Sequence, residues 1–481
     1  MTNPSLKQTT IRALLWNLVD RMGQQLLLFG VGIVVANILS VDDYALVGML
    51  AIFTALANIV LDSGFSSALI RQQDATEEDY NSVFYFNLGI SAVLYLALYA
   101  AAPLIADYYA KPSLVLLSRI LFLALPFNSL SLIQTTLLNK QVKFQTLTKV
   151  NLLSLLFSSS GMLLMAFAGM GVWTLAWQPV ILAFSRSLLL WLQRTWRPRL
   201  LFSFARIRLL FRFASGLLLA SVINAIFTNI YSVAIGKLCP SQQMGYYTQG
   251  NKFSLMVISA VYSSLQTATY PIFSSIQNDR ERSLRSYRKT IRFTAFLTFP
   301  LLMGLVSVAP SFIALVLKAE WAGCVPFFQL TCLAGIFTIL TSVNQNFAKV
   351  SGRSDVILKL EVVRTVLIIG CLFATLGQPA LVMILFQTVA QAAIYLISMA
   401  YIGSLVGYRW NSQLKDLLPY AVLSLAMWAV LLVPGAFIRS DAVLLPLKIA
   451  VGMGFYYAAN RWLGSTILKE ATELLLKRKI N

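Results

Sequence analysis

The sequence predicts an all-α polytopic membrane protein of about fourteen transmembrane helices, built as two pseudo-symmetric six-helix lobes followed by two C-terminal helices. Three observations predict it. Hydrophobic residues make up 58% of the 481 residues, charged residues only 12%, and the mean hydropathy is +0.74, more apolar surface than a soluble core can hide. Apolar stretches of roughly the 20-residue spanning length recur along the whole chain. Lys and Arg collect in the short connectors between them, and mostly on alternate connectors.

Taken in order, the apolar stretches place spans at about 11–38, 44–70, 82–106, 114–138, 147–168, 171–192, 209–236, 246–274, 290–316, 325–348, 356–377, 379–406, 417–437 and 442–463. The closest joins, at Gly169–Gly171 and Gly377–Pro379, are read as breaks because each apolar region is too long for one helix and is interrupted by Gly or Pro. Twelve spans is the competing count. With both termini cytoplasmic, only Lys111, Lys237, Lys318, Arg439 and Lys448 fall on external connectors. A basic segment, Gln193–Phe213, carries six arginines and no acid among aromatic and aliphatic residues. It reads either as a helix or turn lying on an anionic membrane surface or as a plain charged loop. It divides the chain into an N-lobe (1–192), the linker (193–213), a C-lobe (209–406) and a terminal part (407–481) holding the last two spans and a basic cytoplasmic tail.

The +20 net charge lies in connectors and is a topology signal, so nucleic acid is not an expected partner. The chain has no histidine, and its four cysteines lack any C-x-x-C spacing, which argues against zinc, haem and His-based acid–base chemistry. No A-x-A-like cleavage site follows the first apolar stretch.

A weak repeat links the halves. ILSVDDYALVGM (38–49) resembles KLCPSQQMGYYTQG (237–250), and LLNKQVKFQTLTKVNLL (137–153) parallels FAKVSGRSDVILKLEVV (347–363). Both copies begin on the same side, so the repeats are parallel, and two such lobes are expected to enclose a cavity suited to alternating access.

Polar residues recur at helical spacing inside the spans. Span one carries Asn17, Asp20, Arg21, Gln24 and Gln25; span two carries Thr54, Asn58, Asp62 and Ser66; span seven carries Ser221, Asn224, Thr228 and Tyr231; span eight carries Lys252, Ser259, Ser263, Gln266 and Tyr270. Such stripes avoid lipid, and they serve either a wet cavity or interhelical hydrogen bonding. Arg21 has Asp20 and Asp62 as alternative ion-pair partners. Arg364 has Glu361 three residues before it, and Lys252 has no acid within a turn of sequence. Arg119 and Arg186 lie about one and a half turns from span ends, within snorkelling reach of the interface. The expected cavity set is Arg21, Lys252, Asn17, Gln24, Asn224 and Gln266. Asp20, Asp62 and Glu361 are the candidates for coupling to H+ or Na+.

The LSVDDYALVGM junction, the DSGFSSALIR exit of span two and the LLNKQVKFQTLTKVNLL segment resemble the polysaccharide transporter family, of the Wzx and colanic-acid flippase type, within the multidrug/oligosaccharidyl-lipid/polysaccharide exporter superfamily. The likeness covers nearly the whole chain. It implies a non-enzymatic flippase of the bacterial inner membrane that moves an undecaprenyl-pyrophosphate-linked oligosaccharide to the periplasmic leaflet, where polymerase machinery would take it up. It also implies that cations on helices one, two and eight meet the lipid diphosphate. Arg21 and Lys252 match by helix, whereas span two offers Asp62 in place of a cation. A drug-cation antiporter of the same fold is the alternative, and a polysaccharide polymerase or ligase a remoter one, because the external connectors are short and poor in catalytic groups.

Overall fold

A computed structural model describes residues 6–62, 64–276 and 279–477, and every element in them is helical. The chain forms two compact units, Met1–Gly245 and Tyr246–Asn481. Unit one contains α1 (Leu6–Ala36), α2 (Val41–Met49), α3 (Ala51–Asp62), α4 (Phe65–Arg71), α5 (Glu77–Tyr109), α6 (Leu114–Leu121), α7 (Ala124–Lys140), α8 (Phe144–Phe167), α9 (Trp173–Leu192) and α10 (Phe204–Leu238). Next comes α11 (Ser241–Ser275), which opens in unit one and runs into unit two. Unit two continues with α12 (Arg280–Val316), a 3-10 turn (Ala319–Cys324), α13 (Val325–Val350), α14 (Ser354–Ala374), α15 (Ala380–Val406), α16 (Trp410–Phe437), α17 (Asp441–Trp462) and α18 (Thr466–Lys477).

Twelve candidate spans among the described residues are long and apolar enough to cross a bilayer, so this is a multi-pass membrane protein. The remaining two expected spans, eight and eleven, exist as helices α11 and α14, but both are more polar. α11 is rich in Ser, Thr, Gln and Tyr, and α14 carries Asp355, Lys359, Glu361 and Arg364. Span two is not one rod. It is capped at Ser40, whose hydroxyl and Asp43 carboxylate form a reciprocal box, and it breaks again between α3 and α4. Gly64 makes that second break with φ 71, and a Cβ there would meet the Ala214 carbonyl of α10 at 3.1 Å. The end of α4 is closed by a cation: Lys140 Nζ donates to the carbonyls of Leu69 (3.2 Å) and Gln72 (2.6 Å).

The basic segment is strapped to protein. Residues 193–203 are irregular, and Phe204–Phe213 form the first turns of α10. Trp196 Nε1 donates to Glu77 Oε2 (3.3 Å), the Arg199 amide to Asn81 Oδ1 (2.6 Å) and the Ser203 amide to Ser82 Oγ (2.9 Å). Arg206 lies 3.5 Å from Glu78 and 3.7 Å from Asp79. All five acceptors lie in the first turns of α5, where acids already favour the positive helix end. Arg194, Arg197, Arg208 and Arg212 remain exposed.

Unit two is organised around α12, which packs on α13, α16 and α17 and contains Pro300 and Pro310. A proline in a helix interior leaves the carbonyl four residues before it without its donor. For Pro300 that carbonyl is Phe296, and it accepts from Tyr456 Oη of α17 at 3.0 Å. For Pro310 it is Val306, which accepts from Gln329 Nε2 of α13 at 2.9 Å. The adjoining Ser307 carbonyl accepts from Lys448 Nζ at 3.0 Å. Lys448 therefore lies within α17, buried at 6% exposure, and not on an external connector as its sequence position suggests.

The two aligned segments after α7 and α13 open on the same helix-ending turn, one that also closes α8 and α17. After α7, the amides of Gln141, Val142 and Lys143 donate to the carbonyls of Leu137, Asn139 and Leu138; after α13, those of Ser351, Gly352 and Arg353 donate to Phe347, Lys349 and Ala348. The two turns share register and hydrogen bonds, and each has a left-handed central residue, Val142 (φ 56) and Gly352 (φ 70). A β-branched residue is poorly suited to that conformation, so unit one carries strain that unit two avoids. Val142→Gly should therefore stabilise the protein by about 1 kcal/mol, the relief of left-handed strain less the added chain entropy. Thermal unfolding in detergent reads this directly, and a lowered midpoint would contradict the account.

Candidate substrate-contacting and coupling residues

On α1, consecutive residues diverge by about 100° around the helix, so Asp20 and Arg21 have different surroundings. Asp20 faces protein. Its carboxylate accepts from Gln24 Nε2 one turn on (2.9 Å) and from Asn151 Nδ2 of α8 (3.1 Å). A turn away, Thr148 Oγ1 of α8 donates to the Trp16 carbonyl (3.1 Å), so this part of the α1–α8 seam is polar. Arg186 of α9 lies within electrostatic reach of Asp20, and its Nε is buried without a hydrogen-bond partner. Arg186 thus does not snorkel to an interface; it is an inward-facing countercharge. Arg119 likewise turns to protein, with its guanidinium 4.0 Å from the centre of the Tyr99 ring. Arg21 is exposed, and Gln24 and Gln25 are half-buried. The side chain of Asn17 lies outside the described residues.

Asp62 is the last residue of α3, next to the break in span two, and it accepts from Ser66 Oγ at 2.7 Å. Asn58, one turn earlier, donates to the Thr54 carbonyl (2.8 Å) and accepts from Asn128 Nδ2 of α7 (3.3 Å). Among the described residues Arg21 forms no ion pair with either Asp20 or Asp62, whose partners are neutral amides and a hydroxyl. On α10, Ser221, Asn224 and Thr228 are exposed, whereas Tyr231 is fully buried and leaves the stripe.

In unit two, Lys252 of α11 is half-buried, and Gln266 has a buried Nε2 with no hydrogen-bond partner. Ser259 and Ser263 bond back to carbonyls of their own helix, the structural use of such residues, and the Tyr270 side chain lies outside the described residues. Glu361 of α14 accepts from Gln345 Nε2 of α13 (2.9 Å) and lies 3.5 Å from Arg364.

The register of the repeat aligns Asn151 with Glu361, and at that helical position each unit has a carboxylate–amide hydrogen bond, Asn151 to Asp20 in one and Gln345 to Glu361 in the other. Sequence reasoning missed Asn151 and Gln345, and it named Arg186 only as a cation within snorkelling reach of the interface. Extending the LLNKQVKFQTLTKVNLL alignment to its fifteenth residue is the signal that would have found Asn151. Chemically, Asp20 and Glu361 are hydrogen-bonded carboxylates suited to holding a proton or small cation, while Arg21, Asn58, Asp62 and Asn224 form exposed polar faces on helices that must cross a bilayer. Facing lipid is costly for such groups.

Because Arg21 and Asp62 share no partner, the effects of Arg21→Gln and Asp62→Asn on thermal stability should add to within about 0.5 kcal/mol. A coupling energy above about 1 kcal/mol in that double-mutant cycle would reveal an ion pair.

Residues 34–326 match the family described as polysaccharide biosynthesis protein. The chain is 25% identical over 354 residues to the teichuronic acid biosynthesis protein TuaB of Bacillus subtilis (strain 168), covering 73% of each. It is 26% identical over 421 residues to the succinoglycan biosynthesis transport protein ExoT of Rhizobium meliloti (strain 1021), covering 87% of this chain and 83% of that one. It is 23% identical over 375 residues to the lipopolysaccharide biosynthesis protein WzxC of Escherichia coli (strain K12), covering 76% and 75%. Its fold resembles the lipid II flippase MurJ in an inward closed conformation, with a TM-score of 0.76 at 15% identity over 94% of this chain and 98% of that one. It also resembles an inward-facing multidrug resistance MATE transporter of the MOP superfamily, with a TM-score of 0.62 at 17% identity over 79% and 95%. With the family match spanning more than half of the chain and the fold shared with transporters of that superfamily, the chain belongs to the polysaccharide biosynthesis protein family.

Proposed function

We propose that this protein is a flippase of the bacterial inner membrane that carries an oligosaccharide repeat unit, linked to undecaprenyl pyrophosphate, from the cytoplasmic to the periplasmic leaflet. It works by alternating access of its two repeat-built halves, and its product passes to polysaccharide polymerase machinery. The observation that carries this reading is Arg21, an exposed guanidinium on a membrane-crossing helix whose neighbouring carboxylate, Asp20, is committed elsewhere. A guanidinium so placed suits a diphosphate, because charge-assisted hydrogen bonds are strong and can be bidentate where water is scarce. The names of TuaB, ExoT, WzxC and MurJ point the same way: polysaccharide assembly or lipid-linked cargo. A transporter moves its cargo chemically unchanged, so no catalytic residue is needed.

Arg21 and Lys252 each contact the diphosphate at some stage of its crossing. Asn17, Gln24, Asn224 and Gln266 contribute neutral hydrogen bonds, and the partnerless Nε2 of Gln266 gains an acceptor when cargo arrives. Asp20, and Glu361 in the second unit, take up H+ or Na+ and link that uptake to the conformational change; Asp62, beside the helix break, is the other candidate. In liposomes loaded with fluorescent lipid-linked sugar, Lys252→Gln should slow flipping by more than about tenfold while insertion and thermal stability are kept. Arg21→Lys should lose most activity if bidentate contact matters and little if a point charge suffices. Normal flipping by Lys252→Gln would remove Lys252 from the mechanism.

Orientation follows from the basic connectors: both termini and the strap face the cytoplasm. A cysteine introduced at Leu200, 94% exposed, in a background lacking the natural cysteines should be blocked only by a membrane-permeant thiol reagent. Labelling of Leu200→Cys from the periplasm would invert the topology.

A further inference from the structure

α17 ends at Trp462 in a turn closed by three backbone bonds, from the amides of Leu463, Gly464 and Ser465 to the carbonyls of Ala459 (3.0 Å), Arg461 (3.2 Å) and Asn460 (3.0 Å), with Gly464 at φ 65. Behind the turn, α18 is pinned to α12. Arg292 donates to Thr466 Oγ1 (3.0 Å), Lys289 pairs with Glu470 (2.5 Å), and Ile467 is 4% exposed. The cleft between α17 and α18 is therefore preformed.

It encloses about 260 Å³ and is lined by Tyr457, Asn460, Arg461, Ser465 and Lys469, together with Gly464 and Leu468. Its only charged lining residues are cations. Ser465 Oγ is buried and has no hydrogen-bond partner, whereas the Asn460 amide is committed to the Tyr456 carbonyl (2.9 Å). A buried donor without an acceptor calls for a ligand that brings one. The candidate span of α17 ends at Trp462, which is 87% exposed beside exposed Leu463, so the cleft opens where a bilayer gives way to headgroups. Its volume is below the roughly 300–1,000 Å³ usual for sites of drug-sized ligands. It suits one phosphate and part of a glycerol, and is too small for an oligosaccharide.

We propose that the α17–α18 cleft binds the phosphate of an anionic membrane lipid, with Arg461 and Lys469 supplying charge, Ser465 donating a hydroxyl, and Tyr457 and Trp462 flanking the glycerol. This site is separate from the transport residues and does not depend on the transport reading.

The test uses the full-length protein in neutral detergent. Native mass spectrometry follows binding of added phosphatidylglycerol and phosphatidylcholine, and thermal unfolding is measured with each lipid and with inorganic phosphate. Wild type should retain phosphatidylglycerol over phosphatidylcholine and be stabilised by it. Arg461→Gln with Lys469→Gln should weaken that binding by about tenfold or more, and Arg461→Lys with Lys469→Arg should restore much of it. Ser465→Ala leaves both cations in place and should weaken binding by a smaller factor, which covers the event that the double variant folds poorly. Unchanged phosphatidylglycerol retention in the Gln double variant or in Ser465→Ala would overturn the proposal. Equal stabilisation by inorganic phosphate, with displacement of the lipid, would make this a free-phosphate site and overturn the lipid assignment.

Discussion

Within a bilayer every backbone N–H and C=O needs a partner from the protein itself, and in unit two this requirement converges on α12. Pro300 and Pro310 release the carbonyls of Phe296 and Val306, and the partners are a tyrosine hydroxyl from α17 and a glutamine amide from α13. Lys448 of α17 adds a donor at Ser307. Two interior prolines would each cost about 3 kcal/mol in an isolated helix, so α12 depends on its neighbours to keep this course. α17 lies outside the expected six-helix repeat, and here it has a structural duty: its Tyr456 and Lys448 donate to the Phe296 and Ser307 carbonyls of α12.

The same requirement separates cations that satisfy the fold from one that does not. Lys140 closes the end of α4, Lys448 serves α12, and Arg206 holds the strap to the acidic start of α5. Lys237 reaches the Tyr108 carbonyl and lies 4.9 Å from that ring. Each is committed to groups of its own unit. Arg21 is not: it projects from a polar face whose carboxylate neighbour is already bonded to Gln24 and Asn151. Environment, more than position along a span, distinguishes these residues.

The repeat carries the comparison further. The turns after α7 and α13 have the same hydrogen bonds, and the same register aligns Asn151 with Glu361 in sequence. The acids differ in placement, since unit one has its carboxylate on α1 and unit two on α14.

Sequence by itself determined the membrane class and the apolar helices, because these are properties of composition and of 3.6-residue periodicity, which are local. It marked Asp62 by its place on the polar stripe of span two, and the break between α3 and α4 beside it came only from the structure. Tertiary structure alone decided which partner each polar group has. Asp20 meets Asn151 from 131 positions away, Lys448 reaches Ser307 across 141, and Trp196 anchors the strap to Glu77 across 119. Such pairings depend on which helices are neighbours and how each is rotated. Apolar faces of similar character constrain neither, so the sequence placed Arg186 at an interface and Lys448 outside the membrane, while packing turned both inward.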